Sequence, residues 1–193
     1  GSGLGVFFGF EKPTSQPPDH VLRVLTYNIQ QGYSENGQRN FDKQLKLIQS
    51  FDPDVIGLQE SDSNRIAGGN TNIVRYFADN LQMYSYYGPK TTTGTFGIAL
   101  LSKYPIQNPE TFFMYSIGEQ TASIEADIQI QDRTFHVLVT HLGNDGPIIQ
   151  QEEILKAVED DKNVIVMGDF NFNPNTEQYK LTVQTLYDAW LLG

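Results

Sequence analysis

The 193-residue chain contains no cysteine, one tryptophan and three histidines. The absence of cysteine excludes disulfides, thiolate metal sites and cysteine nucleophiles. Any mechanism that requires an imidazole must therefore use His20, His136 or His141.

Basic residues are also scarce, with 13 Lys and Arg against 23 Asp and Glu, which gives a formal net charge of −10. Such a surface repels phosphate backbones, so the composition disfavours a general nucleic-acid binder. No stretch approaches the roughly 20 consecutive apolar residues of a transmembrane helix. Hydrophobic residues nevertheless make up 39% of the chain, and aromatic residues 12%, which is typical of a globular domain of this length.

The first twenty residues differ in composition from the rest of the chain. They begin with Gly1-Ser2-Gly3, typical of a cloning remnant, and contain Pro13, Pro17 and Pro18. We therefore expect residues 1–20 to be an extended lead-in that contributes nothing to the core, and residues 21–193 to form one domain.

Apolar runs and helical spacing alternate after this lead-in. Residues 21–28 and 54–60 read as buried strands, and apolar residues at helical spacing lie between them, which predicts α/β layering. Further helices are predicted around residues 73–81 and 154–158, and further strands at 97–102 and 163–168.

Residues 123–130 alternate between apolar and polar side chains, and residues 134–141 follow after a short turn, so a hairpin is predicted. Because side chains alternate along a strand, His141 shares a face with Val137 and Val139, whereas His136 points the other way. His136 is therefore interpreted as structural, and His141 as a candidate site residue.

Polar residues occur at four strand ends, where layered α/β folds build their sites. They are carried by Thr26-Tyr27-Asn28, Leu58-Gln59-Glu60, Val139-Thr140-His141-Leu142 and Gly168-Asp169-Phe170-Asn171. In this order the four segments resemble the endonuclease/exonuclease/phosphatase superfamily of metal-dependent phosphodiesterases, over about residues 21–190. The resemblance implies a four-layer α/β/β/α sandwich of two mixed β-sheets with outer helices.

The same resemblance implies roles for individual residues. Glu60 matches the carboxylate that binds catalytic magnesium, or manganese in its place, and Asn28 the amide beside the metal. His141 matches the imidazole that contacts the phosphate, while Asp169 and Asn171 match the pair that orients nucleophile and phosphate. These residue types suit the chemistry, since a phosphodiester needs a hard cation held by oxygen ligands, together with hydrogen-bond donors for its oxygens.

One family feature is missing. The superfamily closes with an Asp-His pair after its last strand, and no histidine follows His141 in this sequence. We therefore expect the sequence to be truncated before that pair, and the 193-residue chain to bind metal weakly and turn over slowly.

A narrower resemblance rests on the segments 27–32, 59–65 with 68–70, and 83–97. They are similar to the C-terminal domain of fungal cell-wall proteins that remodel glycosylphosphatidylinositol (GPI) anchors by installing ceramide, and of their animal relatives. This implies GPI lipids or GPI-anchored proteins and ceramide as partners, a separate membrane region, and a luminal position in the endoplasmic reticulum or secretory pathway. Lys90, Thr91, Thr92 and Arg65 are candidate substrate-binding residues, although the threonines are equally typical of a turn.

Two other functions stay open at this point. One is a soluble magnesium-dependent hydrolase of sphingomyelinase or nuclease type, which would use water as acceptor. The other is a non-catalytic module that binds GPI, for which the missing Asp-His pair would be no obstacle.

Overall fold

The computed structural model describes residues 3–10, 21–30, 40–61, 73–88, 97–118 and 120–191. The strands are β1 (Leu4–Phe10), β2 (Val24–Asn28), β3 (Val55–Gln59), β4 (Tyr84–Gly88), β5 (Ile98–Ser102), β6 (Ile106–Met114), β7 (Thr121–Ile130), β8 (Arg133–His141), β9 (Asn163–Asp169) and β10 (Tyr187–Asp188). The helices are α1 (Phe41–Phe51), α2 (Ile73–Leu81), α3 (Ile148–Ala157) and α4 (Glu177–Thr182), and a 3-10 turn spans Ala189–Leu191.

The strands form two mixed sheets. The six-stranded sheet has the order β10-β1-β9-β8-β7-β6, and the four-stranded sheet has the order β2-β3-β5-β4. One parallel pair occurs in each sheet, β8 with β9 and β2 with β3, and the remaining neighbours are antiparallel. Parallel neighbours end at the same edge, and this brings polar strand ends side by side.

Three apolar clusters divide the domain into four layers. The central cluster lies between the sheets and includes Val55 and Leu100 from one sheet and Val139 and Met167 from the other. A second cluster packs α1 and α2 on the four-stranded sheet, and a third packs α3 and α4 on the six-stranded sheet. The predicted four-layer sandwich of two mixed sheets with outer helices is confirmed.

The sheets approach each other closely at Gly57 of β3. A Cβ atom there would lie 2.6 Å from Met167 Sδ and 3.1 Å from Val139 Cγ1 of the opposite sheet. Since real Cβ atoms are essentially never found as close as 2.6 Å to another atom, any larger residue at this position would require Met167 to shift. The gap at Gly57 therefore helps to set how the strand ends of one sheet meet those of the other.

The expectation that nothing in residues 1–20 belongs to the core is wrong for β1. This strand pairs along its whole length with β9, from Leu4 opposite Asp169 to Phe10 opposite Asn163. Phe7 is 3% exposed, and its ring lies 5.1 Å from that of Phe170. The physical reason is that β9 has an open edge which β1 covers, a long-range need that the glycine- and proline-rich composition does not reveal.

Other predicted elements agree with the structure. The strands at 54–60, 97–102 and 163–168, the helices at 73–81 and 154–158 and the 123–141 hairpin all occur, with boundaries shifted by a few residues. Strands β4, β6 and β10 and helix α4 are short or irregular in pattern and were not predicted. Among the helices in the described ranges, none has the length and apolarity needed to span a bilayer.

Candidate active site

The parallel pairs carry the predicted site residues to their carboxyl ends. In the four-stranded sheet, Asn28 lies beside Gln59, and Glu60 follows directly. In the six-stranded sheet, His141 lies beside Asp169. The two pairs face each other across the sandwich, because Asn28 of one sheet contacts Asp169 of the other.

Asn28 is the link between the sheets at this end. Its amide nitrogen donates to Glu60 Oε1 at 2.8 Å and to Asp169 Oδ2 at 3.3 Å. Its carbonyl oxygen accepts from the backbone N–H of Gln30 at 3.0 Å. One neutral side chain therefore holds two carboxylates, 109 positions apart in the sequence, on the same donor.

Glu60 has a strained backbone, with φ at 53°. For a residue with a Cβ atom, this left-handed conformation costs about 1–3 kcal/mol and persists only where the surroundings impose it. The flanking hydrogen bonds from Ile29 N to Gln59 O and from Ser61 N to Gly97 O, at 3.0 and 2.8 Å, provide that constraint. The turn directs Glu60 out of the regular alternation of β3 and toward Asn28.

Asp169 and His141 are almost buried, at 8% and 7% exposed. Asp169 Oδ1 accepts from the backbone N–H of Asn171 at 3.3 Å, and the Asp169 carbonyl accepts from Leu142 N at 2.9 Å. The Asn171 amide donates to the Leu142 carbonyl at 2.8 Å. These bonds tie the segment after β8 to the segment after β9 and fix both next to the two carboxylates.

Two residues that support the site, Gly3 and Gln150, were not predicted from the sequence. Gly3 passes so close to Asn171 that a Cβ there would lie 2.4 Å from Asn171 N, and its carbonyl accepts from Phe170 N at 2.8 Å. Gln150 of α3 is 2% exposed and accepts from the N–H of Gly143, two residues beyond His141, at 2.9 Å. The available signal for Gln150 was its helical spacing to Ile154, which places an uncharged polar side chain on the buried face.

The donor set can be compared with what a divalent cation requires. Among the described residues, no group of three or more His, Asp and Glu side chains is arranged to hold a metal ion. Magnesium, however, is typically bound by one or two carboxylates, with water and substrate phosphate completing its shell. Glu60 and Asp169, converging on one amide, fit that pattern, whereas the Asn28 carbonyl is already bonded to Gln30.

His136 lies apart from this site, on the other face of β8. Its Nδ1 lies 3.1 Å from Asp127 Oδ1, and its Nε2 lies 3.7 and 3.8 Å from carboxylate oxygens of Glu125 and Asp161. Burial tends to raise the pKa of Asp127, but hydrogen bonds from Asn108 and His136 outweigh it and hold that pKa below its ordinary value. The prediction that the two histidines face opposite sides agrees with these contacts.

Four other predicted site residues, Lys90, Thr91, Thr92 and Arg65, lie outside the described residues, as does His20. The structure therefore brings together Asn28, Glu60, His141, Asp169 and Asn171.

The fold and this arrangement of strand-end side chains define a class of protein. An endonuclease/exonuclease/phosphatase family protein from Leptotrichia buccalis superposes with a TM-score of 0.68 at 18% identity, over 86% of this chain and 73% of that one. The human Nocturnin catalytic domain superposes with a TM-score of 0.60 at 20% identity, over 82% and 68%. The chain has the endonuclease/exonuclease/phosphatase fold.

Within this class the family is defined by sequence. The family described as "PGAP2IP, C-terminal nuclease-like domain" matches residues 19–187. The chain therefore belongs to the family of PGAP2IP C-terminal nuclease-like domains. Protein cwh43 of Schizosaccharomyces pombe is 36% identical over 111 residues, which are 57% of this chain and 11% of that protein. The chain thus matches only about a tenth of the length of this relative.

Proposed function

We propose that this domain acts on the phosphodiester that joins inositol to the lipid of a GPI anchor, and exchanges a diacylglycerol-type lipid for ceramide. The observation that carries the proposal is the Asn28 amide, which bonds carboxylates from both sheets next to buried His141. The relationship to cwh43 and the family match support the choice of GPI lipid over other phosphodiesters.

The exchange is a substitution at phosphorus. The hydroxyl oxygen of ceramide forms a bond to phosphorus, the bond from phosphorus to the diacylglycerol oxygen breaks, and diacylglycerol leaves with the proton that ceramide gives up. Asp169 is an acceptor able to orient the attacking hydroxyl and take its proton, and His141 is able to donate a hydrogen bond to a phosphoryl oxygen. Asn171 positions Asp169 through its backbone N–H.

The carboxylates also suit a divalent cation. Glu60 would hold magnesium or manganese next to Asp169, and a bound cation of this kind neutralises negative charge on the phosphoryl oxygens. Without such a cation, two carboxylates sharing one neutral donor would repel an anionic substrate. Asn28 holds both carboxylates in place before the substrate arrives.

The proposal includes the setting of the reaction. GPI lipid and ceramide both lie in membranes, so the domain would work at a membrane surface, in the secretory pathway and on its luminal side, as part of a protein with a separate membrane region. The net charge of −10 supports a lipid rather than a nucleic-acid substrate, since DNA or RNA would be repelled along its whole length.

The test combines binding and turnover in the 193-residue chain and two variants. Glu60→Gln removes the charge of the proposed ligand, and Glu110→Gln makes the same change at an exposed position of β6. Calorimetry with magnesium and inositol phosphate, followed by mass spectrometry of mixed vesicles of GPI lipid and ceramide, should show binding and slow exchange for the unchanged chain and for Glu110→Gln. Glu60→Gln should reduce exchange on the order of 100-fold.

Other results would contradict the proposal in distinct ways. Release of the headgroup to water with no ceramide product would identify a hydrolase. Binding of inositol phosphate without any turnover would identify a binding module. Lipid exchange by Glu60→Gln at the rate of the unchanged chain would show that the Glu60 carboxylate is not needed for the reaction.

A further inference from the structure

Four exposed apolar side chains lie on two segments near the candidate site. Tyr115 and Ile117 follow β6 and are 57% and 89% exposed, and Ile148 and Ile149 begin α3 and are 37% and 42% exposed. These four residues are called the apolar rim below. An isolated exposed apolar residue needs no explanation, but four that are fixed together at one place do.

The register of the six-stranded sheet places the apolar rim at the same edge as the candidate site. Ser123 of β7 pairs with Thr140 of β8, and Met114 of β6 pairs with Thr121 of β7. The turn between β6 and β7 therefore lies at the end of the sheet where His141 and Asp169 are found. Helix α3 begins at this end as well, because only residues 142–147 separate it from His141.

Hydrogen bonds hold the two segments together. The Gln150 amide nitrogen donates to the Tyr115 carbonyl at 2.8 Å and to Thr121 Oγ1 at 2.9 Å, while its oxygen accepts from Gly143 N. Glu153 accepts from Tyr115 N at 3.1 Å. Since Ile149 lies one helical turn before Glu153, it is on the side of α3 that faces the turn.

The two segments that carry the apolar rim are themselves free of charged residues. Residues 111–118 contain no charged side chain, and neither do residues 146–151, in a protein with 23 acidic residues. Although the Glu153 carboxylate accepts from Tyr115 N, the four side chains of the apolar rim are themselves uncharged and fit a membrane without net charge, whereas the acidic remainder of the domain would be repelled by anionic lipid. A tyrosine together with long aliphatic side chains is the composition that partitions into the headgroup region of a bilayer.

We propose that the apolar rim docks the domain onto the surface of a membrane made of zwitterionic lipid, with Tyr115, Ile117, Ile148 and Ile149 entering the headgroup layer. The proposal rests on the proposed function, since it explains how a phosphodiester at a bilayer surface reaches His141 and Asp169. Gln150 is a positioning residue for this surface, because it joins the β6–β7 turn to the segment that follows His141.

The test is flotation of the 193-residue chain with phosphatidylcholine vesicles. The double variant Ile117→Asp with Ile149→Asp places charges in the apolar rim. Its matched control is Leu47→Asp with Phe51→Asp on α1, where the side chains are 45% and 55% exposed on the outer side of the other sheet. We expect the rim variant to bind vesicles about tenfold more weakly than the unchanged chain and the control to bind as before, with little effect of added salt.

Equal binding by the rim variant and the unchanged chain would overturn the proposal, as would binding that requires anionic lipid and disappears in salt. Failure of the chain to float at all would also overturn it and would favour a protein partner for this surface. Glu60→Gln separates this proposal from the proposed function, since it should reduce exchange on the order of 100-fold and leave flotation unchanged. Circular dichroism of each variant checks that the fold is retained.

Discussion

The two sheets of this domain differ in how they are buried and in what they bring to the site. Strands β3 and β5 of the four-stranded sheet are buried at every position, and this sheet contributes Asn28 and Glu60. The six-stranded sheet has an outer strand, β6, with mostly exposed or half-buried positions, and contributes His141, Asp169 and Asn171. The two carboxylates of the candidate site therefore come one from each sheet, Glu60 from the four-stranded sheet and Asp169 from the six-stranded sheet.

Both sheets contribute to the site, so its geometry depends on how closely they pack. Changing Gly57 to valine should therefore have the largest effect on stability. The new side chain would collide with Met167 and Val139, so we expect a loss of about 3 kcal/mol in the free energy of unfolding. Chemical denaturation measures it. Gly143→Ala, where the nearest atoms are 3.5 Å or more from the added Cβ, serves as control. Adding Met167→Ala should restore part of the loss, and strict additivity of the two changes would contradict this packing argument.

Asn28→Ala should have the next largest effect, because it removes the link between the sheets. Glu60 and Asp169 lose their shared donor and face each other, so we expect the free energy of unfolding to fall by about 2 kcal/mol. Denaturation with and without magnesium measures this, since a cation between the carboxylates should recover part of the stability. A loss that magnesium does not change would show that the carboxylates do not share a cation.

The two histidines of β8 should separate stability from activity. His136→Asn removes contacts with carboxylates on β7 and before β9, so we expect a loss of about 1 kcal/mol of stability with lipid exchange retained. His141→Asn should reduce exchange about 100-fold or more with a smaller loss of stability. Thermal melting and lipid-exchange assays on both variants measure these effects. A loss of activity in His136→Asn together with a loss of only stability in His141→Asn would contradict the assigned roles.

Tyr179→Phe, far from the contact between the sheets, should have the smallest effect. The hydrogen bond from Tyr179 to Asp188 at 2.7 Å raises the pKa of Tyr179 to about 12. A raised pKa means that this stabilisation is fully present below pH 10 and is lost as the pH rises through about 12. We expect a loss of about 1 kcal/mol at neutral pH that vanishes above pH 12. Spectrophotometric titration should show one fewer late-ionising tyrosine in the variant.

Much of the fold could be predicted from local pattern. The alternation at residues 123–130 and the helical spacing at 73–81 each correspond to an observed element, because these patterns reflect burial on one face. Strand β1 could not be predicted in this way, because its place is decided by the open edge of β9 more than 150 residues later. The same limit applies to β10, whose two residues carry too little pattern to detect.

The features of the candidate site likewise fall into those that the sequence determined and those that only the tertiary structure decided. The sequence by itself determined the residue types at the strand ends, the absence of cysteine chemistry and the opposite facing of His136 and His141, since these follow from composition and from the two-residue period of a strand. Tertiary structure alone decided that the Asn28 amide joins Glu60 to Asp169, that Gly3 lies against Asn171, and that Gln150 links the β6–β7 turn to the segment after His141. These contacts join residues far apart in the chain, and their distances depend on how the two sheets and their helices pack.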